Sequence, residues 1–255
     1  MKYLLSASTD VGIRKKENQD SILVKRGIFG EEQVVLAVMC DGMGGLKKGE
    51  IASASLIKSF SEWFENQVPG ILGASSVENS LLFSWDHLIH TMNHKICDYG
   101  REYKLQMGTT VTAMFFWKDD YYIAHVGDSR AYELKTEILQ LTKDQTLVQR
   151  EVDQGILTAE QANQDSRRSV LLQCVGVSED VAPTYVKGRI NKDAVYLLCC
   201  DGFRHEISAE EIFHAFHPNI MMDEDSMENA SREMIQLNKD RGEQDNISVI
   251  AIRTW

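Results

Sequence analysis

Five short stretches of almost unbroken apolar sequence do most to limit what this chain can fold into: Val34 to Cys40, Val111 to Trp117, Tyr121 to Val126, Ala194 to Cys200 and Ile247 to Ile252. Each is short and rich in β-branched or aromatic residues, so each predicts a strand. A strand with one wet face alternates apolar and polar residues; these do not, and so belong inside sheets covered on both faces. Candidate covers are visible too. The segment from about Lys48 to Asn66 puts Leu56, Phe60 and Trp63 on one side, and that from about Val77 to Tyr103 carries Val77, Leu81, Trp85, Leu88, Met92, Ile96 and Tyr99 at steps of three and four. Thr158 to Gln161 and Ser208 to Glu211 have the spacing that reciprocally satisfies the free amides of a helix start, and a last helix is predicted over Met227 to Asp240, before a strand ending at Trp255. Strand runs, paired helices and more strand runs predict an α+β layered fold, with helices outside a pair of sheets, over a regular βαβ alternation.

Only three prolines occur (Pro69, Pro183, Pro218), and no Gly/Ser-rich linker or repeat interrupts the 255 residues, so one domain over residues 1–255 is expected. A formal net charge of -11 argues against nucleic acid or anionic lipid as partner, since both draw affinity from clustered Lys and Arg. The opening MKYLLSASTD carries an apolar run too short for a signal peptide, and no later run reaches a membrane span, so a cytoplasmic protein is expected; a monomer is expected separately. Cys40, Cys97, Cys174, Cys199 and Cys200 form no CxxC pair and predict reduced, buried thiols.

Four aspartates beside a Gly or Asn are spread along the chain: Asp41 in DGMGG, Asp128 in VGDSRAY, Asp201 in CCDGF and Asp245 in GEQDNISV. Read as following apolar runs, they are predicted at strand ends, where a carboxylate has a rigid base and the neighbouring Gly admits a carbonyl or water. Hard cations such as Mg²⁺ and Mn²⁺ take oxygen ligands, and a site for two of them needs acids converging from distant segments. Taken singly, each Asp-Gly or Asp-Asn is an ordinary turn former.

Seven segments, TDVGIRKKENQD (9–20), DGMGGLKKGE (41–50), MGTTVTAMF (107–115), AHVGDSRAYEL (124–134), LTKDQTLV (141–148), LLCCDGF (197–203) and DNISVI (245–250), stand in the order and spacing of the metal-dependent serine/threonine protein phosphatases of type 2C, which the chain resembles from about Leu4 to Trp255. The resemblance implies an αββα sandwich of two antiparallel sheets flanked by helices, with metals in a cleft at one end and a flap over about residues 144–174. It implies that Asp41 bridges two Mn²⁺ or Mg²⁺ ions, that the Gly42 carbonyl helps bind one, and that Asp201 and Asp245 complete the other. Asp20 would hold a metal-bound water, and Asp128 with Asp201 a weaker third ion. The implied partners are phosphorylated proteins and a Ser/Thr kinase with its substrates.

The chemistry follows on general grounds. Water is a poor nucleophile and a phosphoryl group is anionic, and a pair of divalent ions addresses both problems. No cysteine is followed six residues later by arginine, as a cysteine-dependent phosphatase loop requires. In the family an Arg stands five residues before the position of Asp20; here that is Lys15, with Arg14 beside it. Lys15 is the preferred phosphate ligand, Arg14 the alternative after a small backbone shift, and the exchange matters because only Arg binds phosphate bidentately. Leu46, Gln145 and His205 replace residues common in relatives (His, His and an acid). His205 is therefore either a proton donor to the leaving oxygen or a group packed and hydrogen-bonded behind Asp201. These departures support an alternative, a catalytically weak phosphoprotein-binding module of the same fold. His87, His90 and His94 fall opposite the apolar stripe and are expected in solvent. Arg167 and Arg168, within the flap, are expected to be a solvated pair, with contact to an acidic or phosphorylated substrate the alternative.

Overall fold

The computed structural model describes residues 1–43 and 48–255. Strands β1 (Tyr3–Asp10), β10 (Ile247–Thr254), β9 (Ala194–Cys199), β6 (Arg130–Leu134) and β7 (Ile138–Gln140) form one antiparallel sheet in that order; β2 (Asp20–Phe29), β3 (Glu32–Asp41), β4 (Val111–Trp117), β5 (Asp120–Val126) and β8 (Thr184–Arg189) form the other. The two sheets pack face to face. Val35, Ala37 and Met39 of β3 meet Val195, Leu197 and their neighbours in one core, and Tyr196 of β9 stacks edge-on against Phe116 of β4 at 5.2 Å.

The alternate residues of β3, Val34, Leu36, Val38 and Cys40, point the other way, onto α1 (Gly49–Asn66) and α3 (Val77–Tyr103), which α2 (Val68–Leu72) joins. There Phe60, Trp63, Trp85 and Phe115 interlock as tilted and edge-to-face rings with centroids 5.6 to 6.5 Å apart. Truncating one of these to Ala costs about 3–5 kcal/mol. On the first sheet, α7 (Ala209–Ala215) and α8 (Glu224–Asp240) supply Ile212, Met227, Met234 and Ile235. The layers are thus helix, sheet, sheet, helix, as the resemblance implied.

All five apolar runs are strands, and both predicted capping boxes are formed, at Thr158 before α5 (Ala159–Gln164) and at Ser208 before α7. A third, Asp223 with Ser226, starts α8 three residues before the expected Met227. Strands β1, β2, β6, β7 and β8 were not expected. Four of them are sheet edges with partly exposed residues, so they lack the unbroken apolar signature. The α3 stripe holds, with Ile89 buried and Tyr99 exposed instead of lying on it. His87 and His94 face solvent, and His90 has Nδ1 2.9 Å from the Asp86 carbonyl. All five cysteines are free and buried. Among the described residues, no helix is long and apolar enough to cross a membrane.

Candidate metal centre

The period-two alternation that buries Val35, Ala37 and Met39 between the sheets carries on to Asp41, the last residue of β3. Asp41 pairs directly across the ladder with Asp20, the first residue of β2. Two carboxylates opposite one another repel. Here they sit at the open end of the sandwich, beside Cys200 and Ser248 of the facing sheet. The ligand atoms of Asp20, Asp41 and Cys200 lie within 4.8 Å of one another.

Short polar contacts fix both acids. The Ser248 hydroxyl donates to Asp20 Oδ2 at 2.6 Å, Thr9 hydrogen-bonds Ser248 at 2.7 Å, and the Asn18 amide donates to Thr9. The backbone of Asp41 is clamped by two threonines: its amide donates to Thr110 Oγ1 (3.0 Å) and its carbonyl accepts from Thr109 Oγ1 (2.9 Å). Among the described residues, no hydrogen bond reaches the Asp41 carboxylate. Gly42 follows where a Cβ would lie 2.5 Å from the Gln19 carbonyl oxygen, so only glycine lets β3 pass this close to the start of β2. Gly44 and Gly45 of the DGMGG motif, and the Leu46 departure with them, lie outside the described residues.

Asp128 follows the end of β5 by two residues, and Asp201 starts the short α6 (Asp201–Arg204) just after β9, both as predicted. Asp245 is a correction: it precedes β10 instead of ending a strand, because the apolar run of DNISVI comes after the acid. It still reaches the same end of the sandwich. A Cβ on Gly202 would stand 2.2 Å from the Asn246 carbonyl oxygen and 3.3 Å from Asp245 Cβ, so α6 and the loop before β10 touch at backbone distance. Asn246 also takes the Gln19 amide on Oδ1 and donates to the carbonyls of Val11 and Glu17, anchoring the loop that carries Arg14 and Lys15.

The electrostatics show the convergence. Burial drives the Asp41 carboxyl well above the usual range, and the charges of Asp20, Asp201, Asp128 and Asp245 push it further. Asp20 is pushed up to about 7 by burial and by Asp201 and Asp245, against the pull of its Ser248 hydrogen bond. Asp128 also rises to about 7 through burial and Asp201, with Arg204 opposing. Arg204 Nη2 lies 3.7 Å from Asp128 Oδ2 and 3.4 Å from Asp144 Oδ2, and Arg130 holds Asp144 with two 2.8 Å bonds. Burial lifts Asp144, yet the two arginines outweigh it and keep it below the ordinary carboxylate range. Asp144 is therefore satisfied, while burial and the neighbouring carboxylates raise Asp20 and Asp41. Carboxylate oxygens in such a cluster fit a hard divalent ion, which replaces protons at such a site. Cys200 is the poorest of the three as a ligand for Mn²⁺ or Mg²⁺, because its sulfur is soft and these ions prefer oxygen.

Outside this cluster an open cleft of about 610 Å³ is lined by Arg14, Lys15, Arg168, Ser169 and His205, along with Asp201 and Asp245. Lys15 Nζ is 2.8 Å from Asp245 Oδ1; Arg14 is turned instead to the Gln244 amide oxygen. Arg167 is exposed and Arg168 partly exposed, as expected of a solvated pair; Arg167 is also tied to Glu151 and Asp165, both at 2.8 Å, and of the two only Arg168 lines the cleft. Gln145 takes the Gly127 amide at 2.8 Å, bracing the turn into Asp128. Sequence reasoning missed Ser169, whose hydroxyl is 3.4 Å from Asp201 Oδ2, as well as Ser248 and Glu243. Ser248 alone left a signal, as the polar residue breaking the apolar run of β10.

The chain matches protein phosphatase 2C over residues 13–238. It belongs to that family. Among its relatives is the serine/threonine protein phosphatase PstP of Mycobacterium tuberculosis, 32% identical over 249 residues, which cover 96% of this chain and 44% of PstP. The chain therefore spans less than half the length of that relative. In structure it is similar to the serine/threonine phosphatase Stp1 of Staphylococcus aureus (TM-score 0.84, 27% identity, 100% of this chain and 96% of the other). It is also similar to the catalytic domain of PstP in complex with two manganese ions (TM-score 0.79, 28% identity, 99% of each chain).

Proposed function

We propose that this chain is a metal-dependent protein phosphatase acting on phosphoserine and phosphothreonine, with residues 1–255 as one catalytic domain. The observation that carries the reading is the Asp41 carboxylate, opposite Asp20 in the ladder and near enough to Asp201, Asp128 and Asp245 for their charges to bear on it, with no hydrogen bond to it among the described residues. The names of the family relatives, and the two manganese ions of the PstP structure, support it. Asp41, the Gly42 carbonyl, Asp201 and Asp245 would hold two Mn²⁺ or Mg²⁺ ions, and Asp128 with Asp201 a weaker third. Such a pair of ions activates a water as nucleophile and offsets charge on the phosphoryl oxygens.

The chain's own residues do the rest. Asp20, fixed by Ser248, would orient a water held at the ions by accepting a hydrogen bond from it. Lys15 binds the phosphate from the cleft side as a point charge, and Arg14, already turned to Gln244, is the lesser candidate. Segment 144–174 serves as a flap, with Arg168 and Ser169 reaching the cleft where a phosphoprotein would dock. The physiological setting we infer is a bacterial cytoplasm, opposite a Ser/Thr kinase.

The test is hydrolysis of p-nitrophenyl phosphate and of a phosphothreonine peptide with Mn²⁺, with chelator, and in Asp41→Asn. Activity with Mn²⁺ that disappears in both other arms is expected, and activity indifferent to metal would overturn the proposal.

A further inference from the structure

His205 stands between two carboxylates, and its surroundings give it work that the phosphatase reading does not assign. The ring is wedged between two carboxylates, with Nε2 3.5 Å from Asp201 Oδ2 and Nδ1 3.4 Å from Glu243 Oε2. The His205 and Glu243 side chains are only 10% and 7% exposed, so neither contact is a surface accident. Glu243 in turn holds the loop before β10 from inside: its Oε1 accepts the amides of Gln244 (2.7 Å) and Asp245 (2.8 Å), and its own amide donates to the Asn238 carbonyl (3.0 Å). One imidazole thus joins α6, which carries Asp201, to the loop that carries Asp245. The backbones of the two segments also touch at Gly202 and Asn246.

We propose that His205 and Glu243 are positioning residues that set the spacing of Asp201 and Asp245 before any ion arrives. Glu243 folds the Asp245 backbone and orients the ring. The ring engages Asp201 Oδ2, the oxygen that Ser169 also contacts, and among the described residues no side chain hydrogen-bonds Oδ1. Oδ1 is then the oxygen presented to a divalent cation. A merely space-filling residue would not set one ring nitrogen against each of two buried acids, and an acid at position 205 would face both with like charge. Partners that orient a metal-binding carboxylate typically govern metal affinity by 10- to 100-fold. The inference rests on the two-metal reading.

The experiment is a Mn²⁺ titration of chelator-stripped full chain, following free Mn²⁺ by its EPR signal, for wild type, His205→Ala, Glu243→Gln and the double variant, with a melting curve of each metal-free form. Each single change is expected to weaken Mn²⁺ binding about tenfold or more, with the double variant no worse than the weaker single, since the two act as one unit. His205→Gln, which keeps an amide donor, should regain part of the loss. Wild-type affinity in both single variants would overturn the brace, as would losses that add in the double and track a falling melting temperature. If His205→Ala does not fold, the near-isosteric Glu243→Gln decides alone. A wild type that takes up no Mn²⁺ overturns the metal reading and the brace with it, and the wild-type curve distinguishes that failure from failure of the brace only.

Discussion

Lys15 and Arg14 are neighbours of equal charge, and kinetics can tell them apart. Lys15 Nζ already shares the cleft with Asp245, while the Arg14 guanidinium is spent on a neutral amide. A charge-assisted contact is worth about 1.5–3 kcal/mol, or roughly 10- to 100-fold in affinity. Lys15→Ala should therefore raise KM for a phosphothreonine peptide by that factor, and Arg14→Ala by far less; equal effects would remove the assignment. The opposed pair Asp20 and Asp41 makes a second case. Without metal they carry unbalanced charge or take up protons, so their presence is a strain on the fold. Asp41→Asn should raise the melting temperature of the chelator-treated protein by about 2–4 °C, the shift that ~1 kcal/mol gives at this size. A lower melting temperature would mean that Asp41 is held for stability and not for a ligand.

At the scale of elements, β5 is fastened to the start of segment 144–174 by His125, buried, with Nε2 3.1 Å from the Lys143 carbonyl and Nδ1 3.0 Å from Thr112 Oγ1. Burial pushes its imidazole down to about 4 from an ordinary 6.5, outweighing the pull of Asp144. Between those values the unfolded chain binds a proton that the folded one refuses. Stability from this group is therefore full above about pH 6.5 and falls as pH drops toward 4, by roughly 3 kcal/mol in all. Asp20 and Asp128 slope the other way, because their raised values let the fold bind protons first. Urea melts of wild type and His125→Gln isolate the histidine: their stability difference should shrink from pH 7.5 to pH 5, and a constant difference would refute the shift.

The same scale shows what could be read in advance. Strands β3, β4, β5, β9 and β10 are buried on both faces, and that is what writes an unbroken apolar run. Edge strands such as β2, with Lys25 and Arg26 in its middle, pair through backbone bonds that leave no mark on side-chain type. The acids were legible from their Gly and Asn neighbours. Of their supports, Ser248 showed as the polar residue within the apolar run of β10, while Glu243 and Ser169 did not, because a hydroxyl or an extra Glu has no spacing that distinguishes a buried partner from a surface one.

Across the whole molecule the balance is between a chain of net charge -11 and an end of the sandwich where five carboxylates crowd. Folding brings these acids together against their own repulsion, which Arg204 and Lys15 offset in part, and an ion that binds the folded form recovers more of the loss. A ligand at 100 times its dissociation constant stabilises the fold by about 2.7 kcal/mol per site. For a domain of this size that is roughly 5–10 °C in melting temperature. Micromolar to millimolar Mn²⁺ should therefore raise the melting point steadily with the logarithm of its concentration. NaCl at matched ionic strength should have little effect, because Asp20, Asp128 and Asp201 are buried and poorly screened. In Asp41→Asn the Mn²⁺ response should flatten although the starting melting point is higher. An equal response in both proteins would place the ions on the acidic surface at large, and the crowded end of the sandwich would then have no claim to be the site.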